Sequence, residues 1–281
     1  MIRLAAKPVI EARRRKLEED TRALHARTGR APHLCVIIVG EDPASLIYVS
    51  KKAATAQKVG FTSETLRFDV RVSPDEVKAK VEKLNRNPGV DGILIQRPLP
   101  KQFSEKDVTL WVAPEKDVDC LHPENIGLLV TGNPRFLPCT PGGILHLLAH
   151  YGIPLEGRTA CVIGRSSIVG KPLAALLLAK NASLIQVHSK TPDPASLCRM
   201  CDLVFVAAGS RGLVKRSWIK PGAVVIDVGI HRDPEGRIVG DVDTESVADT
   251  PSALSPVPGG VGPMTIQVLL ENTFTAANRK G

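Results

Sequence analysis

Aromatic side chains are scarce: phenylalanine, tryptophan and tyrosine together make up 4% of the 281 residues. Stacking platforms for single-stranded nucleic acid are hard to build from so few rings. The formal charge of +8 and pI near 9.3 come from scattered basic residues, so anionic small molecules are the expected partners, with no nucleic acid. Long hydrophobic runs are also missing. Although 43% of the chain is hydrophobic, no run reaches the roughly 18 apolar residues that a membrane helix needs, so no membrane partner is expected. The first thirty residues interleave Arg13, Arg14, Arg15 and Lys16 with Glu11, Glu18, Glu19 and Asp20, a pattern unlike a signal peptide or a transit peptide. A soluble, intracellular chain follows, placed in the cytoplasm with a mitochondrial location left open.

Metal-site spacings are incomplete. Of six cysteines, most sit in or beside apolar runs such as "LCVIIVG" and "ACVIG", where a thiol behaves as a small hydrophobe. Cys198 and Cys201 form a CxxC without a second pair. His146 and His150 in "HLLAH" have helical spacing but no glutamate to complete a metalloprotease pattern. No metal is expected. Internal repeats and low-complexity segments are absent as well.

What is present is an alternation. Apolar, β-branched runs recur at 34–39, 91–96, 160–163, 184–187, 203–208 and 223–228, with helical patterns between them. This is the pattern of parallel sheets covered by helices, an α/β protein. The stretch 120–141, "CLHPENIGLLVTGNPRFLPCTP", is rich in proline, glycine and asparagine and marks a junction between two α/β domains. Near the C-terminus, "PVPGGVGP" reads as a loop before a last helix that starts near 264.

"RTACVIGRSSIVGKPLAALLLAK" reads as strand, tight glycine turn and helix, which aims backbone N–H groups at an anion. Gly164 is followed by Ser166 and Val169 where G-x-G-x-x-G would have glycines, and Gly170 comes one place late. The next strand ends in His188, Ser189 and Lys190, without the acidic residue that usually meets the ribose of NAD. Arg165 and this polar, basic strand end suit the 2′-phosphate of NADP. The plain alternative is a glycine turn that only lets a helix pack on a strand.

"PASLIYVSKK", "DGILIQRPLP", "KDVD", "PCTP", "GRSSIVGKP", "HSKT", "KPGAVVIDVGI", "GDVD" and "PVPGGVGPMT" occur in one order over residues 35–273. In these motifs the chain resembles the bifunctional methylenetetrahydrofolate dehydrogenase and methenyltetrahydrofolate cyclohydrolase family. The resemblance implies two α/β domains, the second a Rossmann-type parallel sheet, with an interdomain cleft. Residues 1–120, joined by a C-terminal helix of 264–281, would form the folate-binding catalytic domain, and 141–263 the NADP-binding domain. It further implies NADP-dependent oxidation of 5,10-methylenetetrahydrofolate and hydrolysis of the methenyl product to 10-formyltetrahydrofolate. That chemistry belongs to one-carbon metabolism feeding purine biosynthesis. The partners would be tetrahydrofolate derivatives and a second copy of the chain in a homodimer.

Site residues follow from the same resemblance. Tyr48 and Lys52 lie one turn apart in a helix beginning near Pro43, so a ring can stack on the pterin while the amine reaches the reacting carbon. Spacing alone would read this pair as a surface lysine beside a half-buried tyrosine. Gln96 resembles the glutamine that hydrogen-bonds the lysine, and Asp119 the carboxylate that binds the amino-pyrimidine edge. Gly262 and Pro263 belong to the folate side, while Gly164, Arg165, Ser166, Ser189 and Ile230 belong to the cofactor. Tyr-x-x-x-Lys also occurs in short-chain dehydrogenases, but there it follows the nucleotide fold, and here it precedes it by a domain. His122, near the junction cysteine, has no assigned role. Two departures stand out: Cys120 where the family usually has glycine, and Arg97 where leucine is common. They keep a second reading open, a folate- or nucleotide-binding paralogue with weak activity or dehydrogenase activity alone.

Overall fold

Seven residues, His33–Val39 (HLCVIIV), form a strand that is buried at every position after the first. A strand covered on both faces requires such a continuous apolar run. The computed structural model describes residues 1–279, so the last two residues of the expected C-terminal helix lie outside it. In order, the elements are β1 (Ile2–Arg3), α1 (Ala6–Thr28), β2 (His33–Val39), α2 (Pro43–Lys58), β3 (Thr62–Phe68), α3 (Pro74–Arg86) and β4 (Gly92–Ile95). There follow α4 (Glu105–Trp111), α5 (Pro123–Val130), α6 (Cys139–His150), β5 (Thr159–Ile163), α7 (Gly170–Leu178), β6 (Ser183–Val187) and α8 (Pro194–Arg199). The chain ends with β7 (Leu203–Val206), β8 (Val224–Asp227), β9 (His231–Arg232), β10 (Ile238–Val239), β11 (Ala253–Leu254) and α9 (Val261–Asn278).

Two compact units result: Ala12–Cys139 with Ile266–Gly281, and Met1–Glu11 with Thr140–Thr265. In the first, three parallel strands are ordered β3-β2-β4. Alternate residues of β2 serve two cores. Leu34, Val36 and Ile38 pack with Val49 and Ala56 of α2 and Leu269 of α9, whereas Cys35, Ile37 and Val39 pack with Val77 and Val81 of α3 and Val108 of α4. The edge strand β3, TSETLRF, has no residue fully buried, and its polar alternation hides it from a search for apolar runs.

In the second unit, six parallel strands are ordered β1-β11-β8-β7-β5-β6. The chain moves from β5 outward to β6 and then returns to β7 on the other side of β5. Such a reversal is a topological switch point, and the strand ends around it form a ligand crevice in open α/β sheets. Ala160, Val162 and Phe205 belong to one core, and Cys161, Ile163 and Val206 to another.

Two expected boundaries move. Residues 1–11 belong with the six-stranded unit, not the first domain, because Ile2 and Arg3 pair with Ala253 and Leu254 and because Leu4 and Val9 enter the core around Ile144. The junction falls inside the expected stretch 120–141, between Cys139 and Thr140, and residues 120–139 fold onto the three-stranded unit: Asn125 Nδ2 donates to Asp117 Oδ2 at 2.8 Å, and Phe136 and Cys139 pack against Val118. The last helix begins at Val261, so Gly262 and Pro263 lie in its first turn instead of a preceding loop. Proline suits that place, where its missing N–H has no helical partner to lose. No helix among the described residues is long and apolar enough to cross a membrane.

Candidate active site

Asp42 caps α2 by accepting from Ser45 N at 2.8 Å, and Pro43 follows in the first turn. This start puts Tyr48 and Lys52 on one face, a turn apart. Lys52 is only 7% exposed. Its Nζ donates to Gln96 Oε1 at 2.8 Å, while Gln96 Nε2 donates to the Arg97 carbonyl at 2.6 Å. That carbonyl also accepts from Ser45 Oγ at 3.3 Å, which ties the end of β4 to the first turn of α2. Burial lowers the Lys52 pKa against the pull of nearby Asp119. Burial raises that of Tyr48, which keeps its hydroxyl protonated at neutral pH.

Asp119 sits in a loop organised by its neighbour. Asp117 is 5% exposed and accepts from His122 N and Asn125 Nδ2, both at 2.8 Å; burial raises its pKa. Asp119 itself is half-buried and faces Cys139, whose thiol is held well above its ordinary pKa by burial and by that carboxylate. Asp119 and Arg97 line one cavity with Ile93, Ile95, Val108 and Leu121. Cys120 has φ of 60°, a left-handed conformation natural to glycine, and its thiol turns into the core to donate to Phe136 O at 3.3 Å. His122 Nδ1 accepts from Glu124 N at 3.1 Å and caps α5.

The six-stranded unit carries the second group. Gly164, at the end of β5, has φ of 116°, and a Cβ there would lie 2.1 Å from the Ala207 carbonyl oxygen. Only glycine lets the turn run this close to β7. Ser166 Oγ accepts from Val169 N at 3.2 Å and Gly170 N at 3.3 Å, which shapes the turn into α7. Arg165 is exposed beside it. After β6, His188 Nδ1 accepts from Lys190 N at 3.2 Å, and Ser189 and Lys190 are exposed. The nearest following acid, Asp193, is engaged in capping α8. The turn, the helix start and the absence of a carboxylate at the β6 end therefore fit a dinucleotide with a 2′-phosphate. Ile230, 52% exposed, follows β8. Gly262 and Pro263, in the first turn of α9, also belong to this unit.

Two carboxylates in quoted motifs received no role from sequence. Asp241, fully buried, accepts from Ala208 N at 2.8 Å, from Gly209 N and Ser210 N at 2.9 Å, and from His231 Nε2 at 2.6 Å. Asp227 accepts from Gly229 N, Asp241 N and Val242 N, each at 3.0 Å, and burial raises its pKa to about 6. Together they hold the segments that leave β7 and β8, next to Ile230. Their placement inside "VVIDVG" and "GDVD", beside glycines, was the available signal. Cys198 and Cys201 are fully buried, with Cys198 Sγ 3.2 Å from Cys161 Sγ, and all six cysteines are free. Among the described residues no cluster of three or more His, Cys, Asp or Glu suits a metal.

Comparison with known proteins adds to this geometry. The family model for the tetrahydrofolate dehydrogenase/cyclohydrolase catalytic domain matches residues 4–119, and that for the NAD(P)-binding domain of the same family matches 138–281. The bifunctional protein FolD of Streptococcus thermophilus is 48% identical over 264 residues, 94% of this chain and 93% of that protein. The bifunctional FolD methylenetetrahydrofolate dehydrogenase/cyclohydrolase of Campylobacter jejuni superposes with a TM-score of 0.97 at 41% identity, covering 100% of both chains. The Trypanosoma brucei FolD, solved with NADP cofactor and inhibitor, gives a TM-score of 0.95 at 37% identity, covering 100% of this chain and 98% of that one.

Proposed function

We propose, for a chain that belongs to the tetrahydrofolate dehydrogenase/cyclohydrolase family, that it oxidises 5,10-methylenetetrahydrofolate with NADP and then hydrolyses 5,10-methenyltetrahydrofolate to 10-formyltetrahydrofolate. The observation that carries this reading is the buried Lys52 amine held 2.8 Å from Gln96 Oε1, on the helix face that also bears Tyr48. The pterin stacks on the Tyr48 ring, and its amino-pyrimidine edge donates to Asp119. NADP supplies the hydride acceptor when bound. Gly164, Ser166 and the start of α7 receive its phosphates, Arg165 and Ser189 its 2′-phosphate, and Ile230 its nicotinamide. Gly262 and Pro263 complete the folate side.

Lys52 serves the second reaction. Its lowered pKa favours the neutral amine more than in an ordinary lysine, and donation to Gln96 Oε1 leaves the lone pair of that neutral form for a proton of the attacking water. The proton then passes to the folate nitrogen that departs as the adduct opens, and the adduct's hydroxyl gives its proton to solvent as the formyl C=O forms. Gln96 holds the amine because its own amide is locked by the Arg97 carbonyl. Separate assays of NADPH formation from methylenetetrahydrofolate and of methenyltetrahydrofolate hydrolysis test the proposal. Both should be present in the purified protein, and loss of either contradicts it.

The proposed setting is the cytoplasm, whose reducing conditions suit six free cysteines. A homodimer is proposed as well. Support comes from β3, which pairs only with β2 among the described residues and leaves its outer edge open. Light scattering on the full chain distinguishes dimer from monomer.

A further inference from the structure

Arg97 is a charged side chain beside the proposed chemistry that the chemistry does not use. Its carbonyl holds Gln96 Nε2 at 2.6 Å, so its place next to the Lys52–Gln96 pair is set by the main chain. Its side chain is only 19% exposed and lines the cavity that Asp119 also lines, among Ile95, Val108 and Leu121. Its Nη1 donates to Glu105 Oε2 at 2.7 Å, and Glu105 is 64% exposed. An ion pair so open to water contributes little energy, and it engages one of the five N–H groups of the fork. The remainder can serve a ligand while Glu105 keeps the guanidinium aimed.

A guanidinium and a carboxylate on the walls of one cavity present donors beside an acceptor. The pterin edge carries the complementary set: the 2-amino group and N3–H donate, and the adjoining 4-oxo oxygen accepts. We propose that Arg97 donates to the 4-oxo oxygen of the pterin while Asp119 accepts from the 2-amino group and N3–H, making the site selective for 4-oxo over 4-amino pteridines. This rests on the folate reading given above. A 4-amino group would turn one donor toward another at Arg97, an unpaired arrangement that works against the wrong ligand. A leucine in this place would pack against the ring and leave the distinction to Asp119 and N3–H alone.

The test is calorimetric titration of the full chain with folic acid and with its 4-amino analogue, in wild type, Arg97→Leu, Arg97→Lys and Glu105→Gln. Arg97→Leu should weaken folic acid binding about 10- to 100-fold, as for loss of one charge-assisted hydrogen bond, while affinity for the 4-amino analogue holds or rises. Arg97→Lys should keep part of the preference, and Glu105→Gln should keep it whole. In turnover, Arg97→Leu should raise KM for methylenetetrahydrofolate and largely spare kcat. An unchanged ratio of the two affinities in Arg97→Leu overturns the assignment. If that variant fails to fold by circular dichroism, the Arg97→Lys ratio decides: one equal to the wild-type value overturns it too. A wild type that binds neither ligand yet turns over methylenetetrahydrofolate overturns the Arg97 assignment alone, one with neither binding nor turnover overturns the folate reading with it, and binding with no dependence on Arg97 removes only the assignment.

Discussion

Replacing Lys52 with methionine should split the two proposed reactions, because only one of them moves a proton. Hydride transfer depends on how methylenetetrahydrofolate is placed, and Tyr48 and Asp119 remain in the variant. The loss there should be about fivefold, the equivalent of one hydrogen bond of about 1 kcal/mol. Hydrolysis needs a base at the attacking water. Lys52 is 7% exposed and fixed through Gln96 at 2.8 Å. Other candidates are poor: burial keeps the Tyr48 hydroxyl protonated, and His122 Nδ1 is engaged as a helix cap. The full contribution of a positioned base should therefore disappear, about 10²- to 10⁴-fold or some 3 to 5 kcal/mol of barrier. Folding should survive: Gln96 Oε1 loses its donor at a cost of about 1–3 kcal/mol, and removal of a buried amine offsets part of it. The pH profile gives an independent check. Burial lowers the Lys52 pKa, so the neutral amine, and with it the hydrolysis rate, should rise with pH through a value below that of an ordinary lysine. Parallel assays of NADPH formation and methenyltetrahydrofolate hydrolysis across pH, with urea denaturation to verify folding, decide the matter. Equal losses in both assays, or a rising pH limb that persists in Lys52→Met, would refute the reasoning.

Asp119→Ala should weaken folate binding by about 2 to 5 kcal/mol, since it leaves pterin donors unpaired, and both activities should drop together; undiminished affinity by calorimetry would remove Asp119 from the site. Arg165→Ala should cost about 1.5–3 kcal/mol of 2′-phosphate binding and shrink the preference for NADP over NAD in kcat/KM. If that ratio stays put, Arg165 does not touch the phosphate. Asp227→Asn concerns stability. Its pKa is raised from 3.8 to about 6 by burial, so the folded protein holds this proton more tightly than the unfolded chain. The associated stability is complete below the unfolded pKa and disappears as pH rises through about 6, a change on the order of 3 kcal/mol. Urea midpoints measured over that range should slope less in Asp227→Asn than in wild type; identical slopes would assign the titration to another group.

The sequence by itself determined the elements that carry strong local signals. The apolar run of β2 required burial on both faces, Pro43 marked a helix start, and that start placed Tyr48 and Lys52 on one face. The glycine turn after β5 and the missing acid after β6 were legible in the same way, because a required φ or an absent charge is a property of single positions. The strand β3 was not legible, since it is held by pairing with β2 along seven residues and not by its own polar composition. Nor was the allegiance of residues 1–11, which rests on a two-residue pairing with a strand some 250 positions away. Only the tertiary structure decided that Lys52 is buried, that Cys120 points into the core, that His122 is a cap, and that Asp227 and Asp241 bind the ends of β7 and β8 together. Burial and hydrogen bonding between distant residues arise when chain segments converge. They set pKa values and positions that no local pattern encodes.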